Sequence, residues 1–177
     1  FSLAQTVAAI KKQDALGFSL RLGENITHGG PPENEHFMRP LCEAVGDDIR
    51  VWHWAEVGEE RGWGYPLEVS SSIYPTATIR AMIARYHYEN PNQLESVLHE
   101  CRKGHEQEPM LCYRHSVAFS AVWNKVQAGH GWAGDSMTAE QMADAFDAGK
   151  RLDWRAYSGW ETNAYHALPG LFWRKER

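Results

Sequence analysis

The sequence predicts an α+β fold with a single domain over residues 1–177. Three observations lead to this prediction. Strand patterns lie mainly before residue 70, helical patterns with capping residues lie mainly after residue 75, and a central helical hairpin is expected at about 91–128. The expected architecture is a small N-terminal antiparallel sheet packed against helices, followed by a helix-rich C-terminal half.

The N-terminal region begins with a predicted helix over residues 2–15. Ser2 is a suitable N-cap, and Gln5 stands where it can return the hydrogen bond of a capping box. Apolar and polar residues alternate over 18–22, which is typical of a strand. The run 24–35 is predicted to be a loop, because its Gly-Gly-Pro-Pro sequence interrupts helices and central strands.

The clearest strand pattern covers residues 49–57, where one parity is mostly apolar. The other parity carries Arg50, Trp52, Trp54 and Glu56. A short helix is expected before this strand at 36–45, and a partner strand after it at 65–70. An amphipathic helix is expected at 76–88, because apolar residues recur there at helical spacing.

The hairpin prediction depends on signals at the ends of two helices. Asn90 is a suitable N-cap, Pro91 fits the first helical position, and Gly104 can end the helix. Pro109 can open a second helix, which has an apolar stripe from Val117 to Val126, and Gly129 can end it. Two helices with so short a connection are expected to pack antiparallel.

The C-terminal region begins with a predicted helix that is capped by Thr138. Gln141 occupies the capping-box position, and Gly149 can end the helix. The remainder, 150–177, is rich in aromatic residues and is expected to form an irregular tail.

Composition restricts the classes of function. Hydrophobic residues make up 43% of the chain and charged residues 23%, which is ordinary for a globular protein. The net charge of −5 permits nucleic-acid binding only through a local basic patch and does not favour it. No apolar run approaches the ~20 residues of a membrane helix, so no membrane partner is expected. Three cysteines favour reduced thiols and a cytoplasmic location.

A loop histidine supplies the candidate catalytic site. His28 precedes two glycines, and a histidine on such a loop can approach a ligand closely and titrate near neutral pH. Nearby side chains that could orient or polarise it are Glu33, Glu35 and His36. The alternative is a loop without catalytic function.

Two cysteines and two histidines form the candidate metal site. Cys101, His105, Cys112 and His115 are the residue types that zinc prefers, and four such ligands can complete a tetrahedral site. The expected position is the neck of the helical hairpin. The alternative is two core thiols and two solvent-facing histidines, with no cofactor.

Aromatic residues supply the candidate partner-binding surface. The chain has 8 tryptophans, several of them on or near the 49–57 strand. The predicted partner-binding residues are Arg50, Trp52, Trp54, Glu56, Arg61, Trp63 and Tyr65. Trp, Tyr and Arg are typical anchors of interfaces, although the same rings could pack beneath a helix.

These observations favour a cytoplasmic macromolecule-binding module of accessory, inhibitor or immunity type, which acts through an aromatic-rich surface on another protein. The sequence contains neither a serine nucleophile elbow nor a phosphate-binding Gly-Lys loop. Two alternatives stay open. One is a small enzyme that uses His28 with the nearby carboxylates, and the other is a zinc-stabilised binding domain.

Overall fold

The computed structural model describes residues 2–30, 36–57, 62–121 and 137–175. Within these ranges the chain forms four α-helices, one five-stranded sheet and two two-stranded sheets. The fold is therefore mixed α and β, as predicted. None of the described helices combines the length and the apolar character needed to cross a membrane.

The elements have the following bounds. The helices are α1 Leu3–Gln13, α2 Thr76–Ile83, α3 Pro91–Cys101 and α4 Ala139–Asp147. The five-stranded sheet contains β1 Gly17–Ser19, β2 Glu43–Ala44, β3 Ile49–Trp52, β4 Ser72–Ile73 and β5 Met110–Tyr113. The other strands are β6 Ser120–Ala121, β7 Lys150–Leu152, β8 His166–Ala167 and β9 Trp173–Lys175, and short 3-10 turns cover Trp54–Glu56 and Trp154–Tyr157.

The main sheet has the strand order β2-β3-β5-β1-β4. Strand β5 pairs in parallel with β1 and antiparallel with β3. Leu111 of β5 is thereby opposite Phe18 on one side and Val51 on the other. Because residues opposite each other share a face, these three side chains form one row across the centre of the sheet.

Helices cover both faces of this sheet. Phe18 and Leu111 belong to one core cluster with Ala9 and Ile10 of α1. The opposite face contributes Trp52, Met110 and Cys112 to a larger cluster, which also contains Met82 of α2 and Leu98 of α3. Both parities of the central strands are therefore buried, as expected for a sheet that lies between two helical layers.

The helices with clear N-terminal capping residues form where the sequence predicts them. The backbone N–H of Gln5 donates to Ser2 Oγ at the start of α1, and that of Gln93 donates to Asn90 at the start of α3. Thr138 and Gln141 form the complete capping box of α4. Each cap satisfies backbone donors that the first helical turn leaves unpaired.

The prediction of a second helix in the hairpin is wrong for the residues that the structure describes there. Residues 110–113 form β5, the central strand of the main sheet, and β6 follows at Ser120–Ala121. A four-residue apolar run does not reveal by itself whether it is strand or helix. The partners of β5 in distant parts of the chain decide the matter. Residues 122–136, which include the rest of the predicted helix, lie outside the described residues.

Three further predictions are wrong. The described residues between 36 and 45 form no helix, and the short edge strand β2 lies there instead. The expected strand at 65–70 is a series of turns, and β4 pairs with β1 in its place. The region after 150 is not a simple tail, because β7 and β9 pair antiparallel. Strands thus occur on both sides of residue 70, and the C-terminal half is not helix-rich in its described part.

Candidate functional site

The predicted aromatic platform is not on the surface. Trp52, Trp54 and Trp63 are at most 4% exposed. The rings of Trp52 and Trp63 meet edge to face with centroids 4.9 Å apart, and Trp52 Nε1 donates to the Trp63 carbonyl at 2.9 Å. Trp54 Nε1 donates to the Glu108 carbonyl. The prediction that these three tryptophans form an exposed binding surface is wrong, because all three belong to the core cluster that includes Met82 of α2 and Leu98 of α3.

The other predicted partner-binding residues lie in different environments. Arg50 is buried and donates from Nε to Glu24 Oε1 at 2.7 Å. Glu56 is exposed, and Tyr65 is half-buried with its ring stacked on His99. Burial raises the pKa of Tyr65 to about 12, so its hydroxyl stays neutral. Arg61 lies outside the described residues.

His28 lies beside one of its three predicted neighbours. Its ring meets the ring of His36 edge to face, with centroids 5.0 Å apart. Its Nδ1 is 2.9 Å from the hydroxyl of Thr27. Glu33 and Glu35 lie outside the described residues. The catalytic role of this histidine therefore stays a prediction.

The two glycines after His28 have a packing role. Gly30 has φ +107°, and a Cβ atom there would collide with the backbone carbonyl oxygen of His166. Gly29 accepts a hydrogen bond from the His166 backbone N–H. Both glycines are buried. Glycine is needed here because the loop lies directly against the segment that contains β8.

The four candidate zinc ligands occupy different environments. Cys112 is buried in β5, whereas His115 is exposed beyond the end of that strand. Cys101 donates to the Met82 carbonyl, and His105 pairs with Glu108 at 2.6 Å. Among the described residues, no group of three or more Cys, His, Asp or Glu side chains is placed to hold a metal ion. The structure does not group these four side chains, and zinc binding by them stays a prediction.

A buried ion pair joins the end of β1 to the segment before β4. Arg21 Nη2 and Glu68 Oε2 are 3.8 Å apart, and both residues are almost fully buried. Glu68 accepts hydrogen bonds from the backbone N–H groups of Ser70 and Ser71 and from the Ser72 hydroxyl. These bonds fix the turn that leads into β4. The guanidinium of Arg21 lies over the ring of Tyr165, 4.9 Å from its centroid.

The charges around this ion pair change the pKa of neighbouring groups. Burial alone would raise the pKa of Glu68, but Arg21 and the serine hydrogen bonds lower it overall. Burial and the charge of Glu68 raise the pKa of Glu95. Burial, together with Arg21, lowers the pKa of His166 to about 4. Groups with opposed pKa shifts can mark a functional site, but the saturated bonding of Glu68 indicates a structural role.

Four aromatic rings form a surface-exposed row in the C-terminal part of the protein. We call Trp160, Phe119, Tyr157 and Phe172 the aromatic strip. Phe119 contacts Trp160 with centroids 4.6 Å apart and Tyr157 at 6.5 Å, and Tyr157 contacts Phe172 at 5.4 Å. Trp160 is 41% exposed and Phe172 50% exposed. The row therefore begins and ends with an exposed ring, and its two middle rings are half-buried.

Hydrogen bonds hold the strip in place. The hydroxyl of Tyr157 donates to the Gly170 carbonyl at 2.7 Å and accepts from the Phe172 backbone N–H. The Asp153 N–H donates to the Phe172 carbonyl. The Trp160 N–H donates to the Tyr157 carbonyl. The rings are thus fixed relative to one another, which lowers the entropy that a binding event would remove.

An open cleft of about 550 Å³ lies at the Trp160 end of the strip. It is lined by Asn25, His115, Ser116 and the run 160–163. Asn25 donates to the Ser116 hydroxyl and the Thr162 carbonyl, and its side-chain oxygen accepts from the Ser116 N–H. Asn25 uses these groups internally, so its role is to hold the cleft together. The Ser116 and Thr162 hydroxyls are also bonded within the protein, to Asn25 and to Ala164.

No protein-family model matches this chain, and comparisons with curated proteins and with solved structures found no match.

The sequence does not predict the aromatic strip, because its residues come from separate segments. Tyr157 and Trp160 lie in the region predicted to be an irregular tail, and Phe119 lies in the region predicted to be a helix. The available signal was the density of aromatic residues after 150. That density indicates an aromatic surface or core but does not show which rings meet.

Proposed function

We propose that this protein is a protein-binding module of accessory, inhibitor or immunity type, and that its partner docks on the aromatic strip. The observation that carries the proposal is the row of four contacting rings with exposed tryptophan and phenylalanine at its ends. Contiguous exposed apolar patches on a folded protein commonly mark interaction sites. Aromatic residues on a rigid support are also the typical source of binding energy at interfaces.

The cysteines support a cytoplasmic location for this module. Cys42, Cys101 and Cys112 are free thiols. Burial raises the pKa of Cys42 to about 11 and raises that of Cys112 well above its ordinary value. Both groups therefore stay protonated at neutral pH, which suits a structural thiol in a reducing compartment.

The test is to compare partner capture by the wild-type protein and by Trp160→Ala and Phe172→Ala variants. Proteins that the wild type captures from a native lysate are purified, and their direct binding is measured by calorimetry. Each substitution is expected to weaken binding about 30-fold or more, as hot-spot truncations do. The melting temperature should change little, because both rings are about half exposed.

Leu41→Ala is the matched control. Leu41 is 90% exposed and lies in the segment before β2. Its truncation removes exposed apolar surface of similar character without touching the strip. A directly bound partner whose affinity falls with Leu41→Ala but not with the two strip variants would contradict the proposal.

A further inference from the structure

The cleft at the Trp160 end of the aromatic strip has unused hydrogen-bonding groups. His115, Glu161 and Asn163 line it and are exposed. In the part of the chain that the structure describes, no hydrogen bond or ion pair engages these three side chains. Trp160 also lines the cleft and is 41% exposed. The cleft thus combines an aromatic face with a carboxylate, an amide and an imidazole.

The backbone that carries these groups is held on both sides. The Trp160 N–H donates to the Tyr157 carbonyl, and the Thr162 carbonyl accepts from Asn25. The Asn163 carbonyl accepts from the backbone N–H groups of both Thr27 and His28, at 2.8 and 3.0 Å. Trp160 and Glu161, which both line the cleft, are therefore adjacent residues on a backbone held at both ends. Such preorganisation favours binding of a ligand that uses both groups.

Other aromatic rings in this protein carry a guanidinium on their faces. Arg151 lies over Phe146 at 3.8 Å and Arg155 over Trp154 at 4.8 Å. Trp160 has no such cation among the described residues, although tryptophan is the aromatic side chain with the strongest attraction for cations. The neighbouring Glu161 adds a negative charge without a partner. The cleft is therefore electrostatically complementary to a cation.

The shape of the lining groups favours arginine over lysine. A guanidinium is planar, stacks on an indole, and can direct two N–H groups at one carboxylate while others reach the Asn163 or His115 acceptors. An ammonium is a strongly hydrated point charge that offers no flat face. The chain also has a net charge of −5, which favours approach of a basic segment.

We propose that this cleft binds the guanidinium of an arginine side chain, stacked on Trp160 and paired with Glu161. The inference rests on the proposed protein-binding function, since the arginine belongs to the partner segment that meets the aromatic strip. It identifies the partner surface as one with an arginine at the edge of an apolar patch.

The experiment titrates the full chain with three short peptides: acetyl-Gly-Arg-Gly-amide, its lysine analogue and its citrulline analogue. Binding is followed by NMR through the Trp160 indole N–H and the Asn163 side-chain amide. The arginine peptide should give saturable shifts at both signals. The citrulline peptide, which is neutral and nearly isosteric, should bind about tenfold more weakly or worse, and the lysine peptide should lie between them.

Variants then assign the interaction to the cleft. Trp160→Ala should abolish the shift of the Asn163 amide, and Glu161→Gln should weaken binding about tenfold and reduce its dependence on salt. Glu43→Gln is the matched control, because Glu43 is also exposed but lies on the edge strand β2, and it should leave the affinity unchanged.

Two results would overturn the guanidinium site: equal binding of the arginine and citrulline peptides, or no effect of Glu161→Gln. The protein-binding function fails separately. A partner lost with Phe172→Ala but retained with Glu161→Gln would keep the docking surface and reject the arginine site. If the arginine peptide binds but no partner protein depends on the aromatic strip, the arginine site is kept and the protein-binding function is rejected.

Discussion

Arg21 and Glu68 face each other inside the protein, with Nη2 and Oε2 3.8 Å apart and only 6% and 3% of their side chains exposed. The carboxylate also receives hydrogen bonds from three consecutive serines, 70 to 72. One acidic group thus joins β1, through Arg21, to the turn that positions β4. Although the two charged atoms are 3.8 Å apart, the pair helps to hold β4 at the edge of the sheet.

Glu68→Gln should destabilise the protein by about 3–5 kcal/mol, because it leaves the buried guanidinium of Arg21 without a countercharge. Urea denaturation at pH 7 measures the loss. Glu43→Gln, an exposed carboxylate with the same substitution, should change stability by less than about 0.5 kcal/mol. Similar effects of the two substitutions would show that the buried pair does not stabilise the fold.

Stability should fall as the pH drops from about 6.5 to about 4, because of His166. Its pKa is about 4 in the folded protein, against 6.5 in the unfolded chain, so the unfolded chain binds the proton more readily in this window. The full effect approaches about 3 kcal/mol. Unfolding free energies of wild type and His166→Gln, measured at pH 7 and pH 5, should differ in pH dependence. The exposed His53→Gln substitution should retain the wild-type dependence.

Trp52→Phe should cost about 1 kcal/mol more than Trp63→Phe, although both rings are about 1% exposed. Trp52 Nε1 donates to the Trp63 carbonyl, and phenylalanine would leave that buried oxygen unsatisfied. Trp63 Nε1 is buried and has no hydrogen-bond partner among the described groups, so its loss removes no bond. Chemical denaturation of the two variants side by side decides the point. An equal or reversed cost would mean that the Trp52 hydrogen bond is not formed in solution.

Gly30→Ala should destabilise the protein more than Gly46→Ala. Both glycines have positive φ, +107° and +87°, so both substitutions strain the backbone by about 1–2 kcal/mol. Only at Gly30 would the new methyl group also meet the His166 backbone, whereas nothing lies within 4 Å of a Cβ at Gly46. Thermal unfolding of the two variants separates strain from collision. If the two melting temperatures fall equally, the close approach of the His28 loop to β8 is not rigid.

The sequence predicts those elements whose signals are local. Ser2, Asn90 and Thr138 accept hydrogen bonds from the first turns of α1, α3 and α4, and such caps need no knowledge of the rest of the chain. The identity of β5 is different. Its four apolar residues fit a buried helix or a buried strand, and only β1 and β3 on its two sides decide between them.

The predicted exposure of the tryptophans is wrong for a related reason. The prediction assigned one parity of the 49–57 segment to the core and the other to solvent. Helices lie on both faces of the sheet, so Val51 and Trp52 each contact a core cluster. The strand also ends at Trp52, and a 3-10 turn carries Trp54, so alternation no longer applies there. Layering is a property of the assembled fold, and one strand does not encode it.

The position of β5 at the centre of the sheet determines when this protein can fold. Gly17 of β1 and Trp52 of β3 both pair with Met110 of β5, which lies much later in the chain. During synthesis β1 can pair with β4 and β3 with β2, but the strand that connects these two pairs is missing until residues 110–113 are made. Until then the side chains of Phe18 and Trp52 are expected to be only partly buried. Their apolar surface can contact chaperones or other chains. Folding is expected to be slow for a protein of this size, because its central contacts join residues that are far apart in the chain.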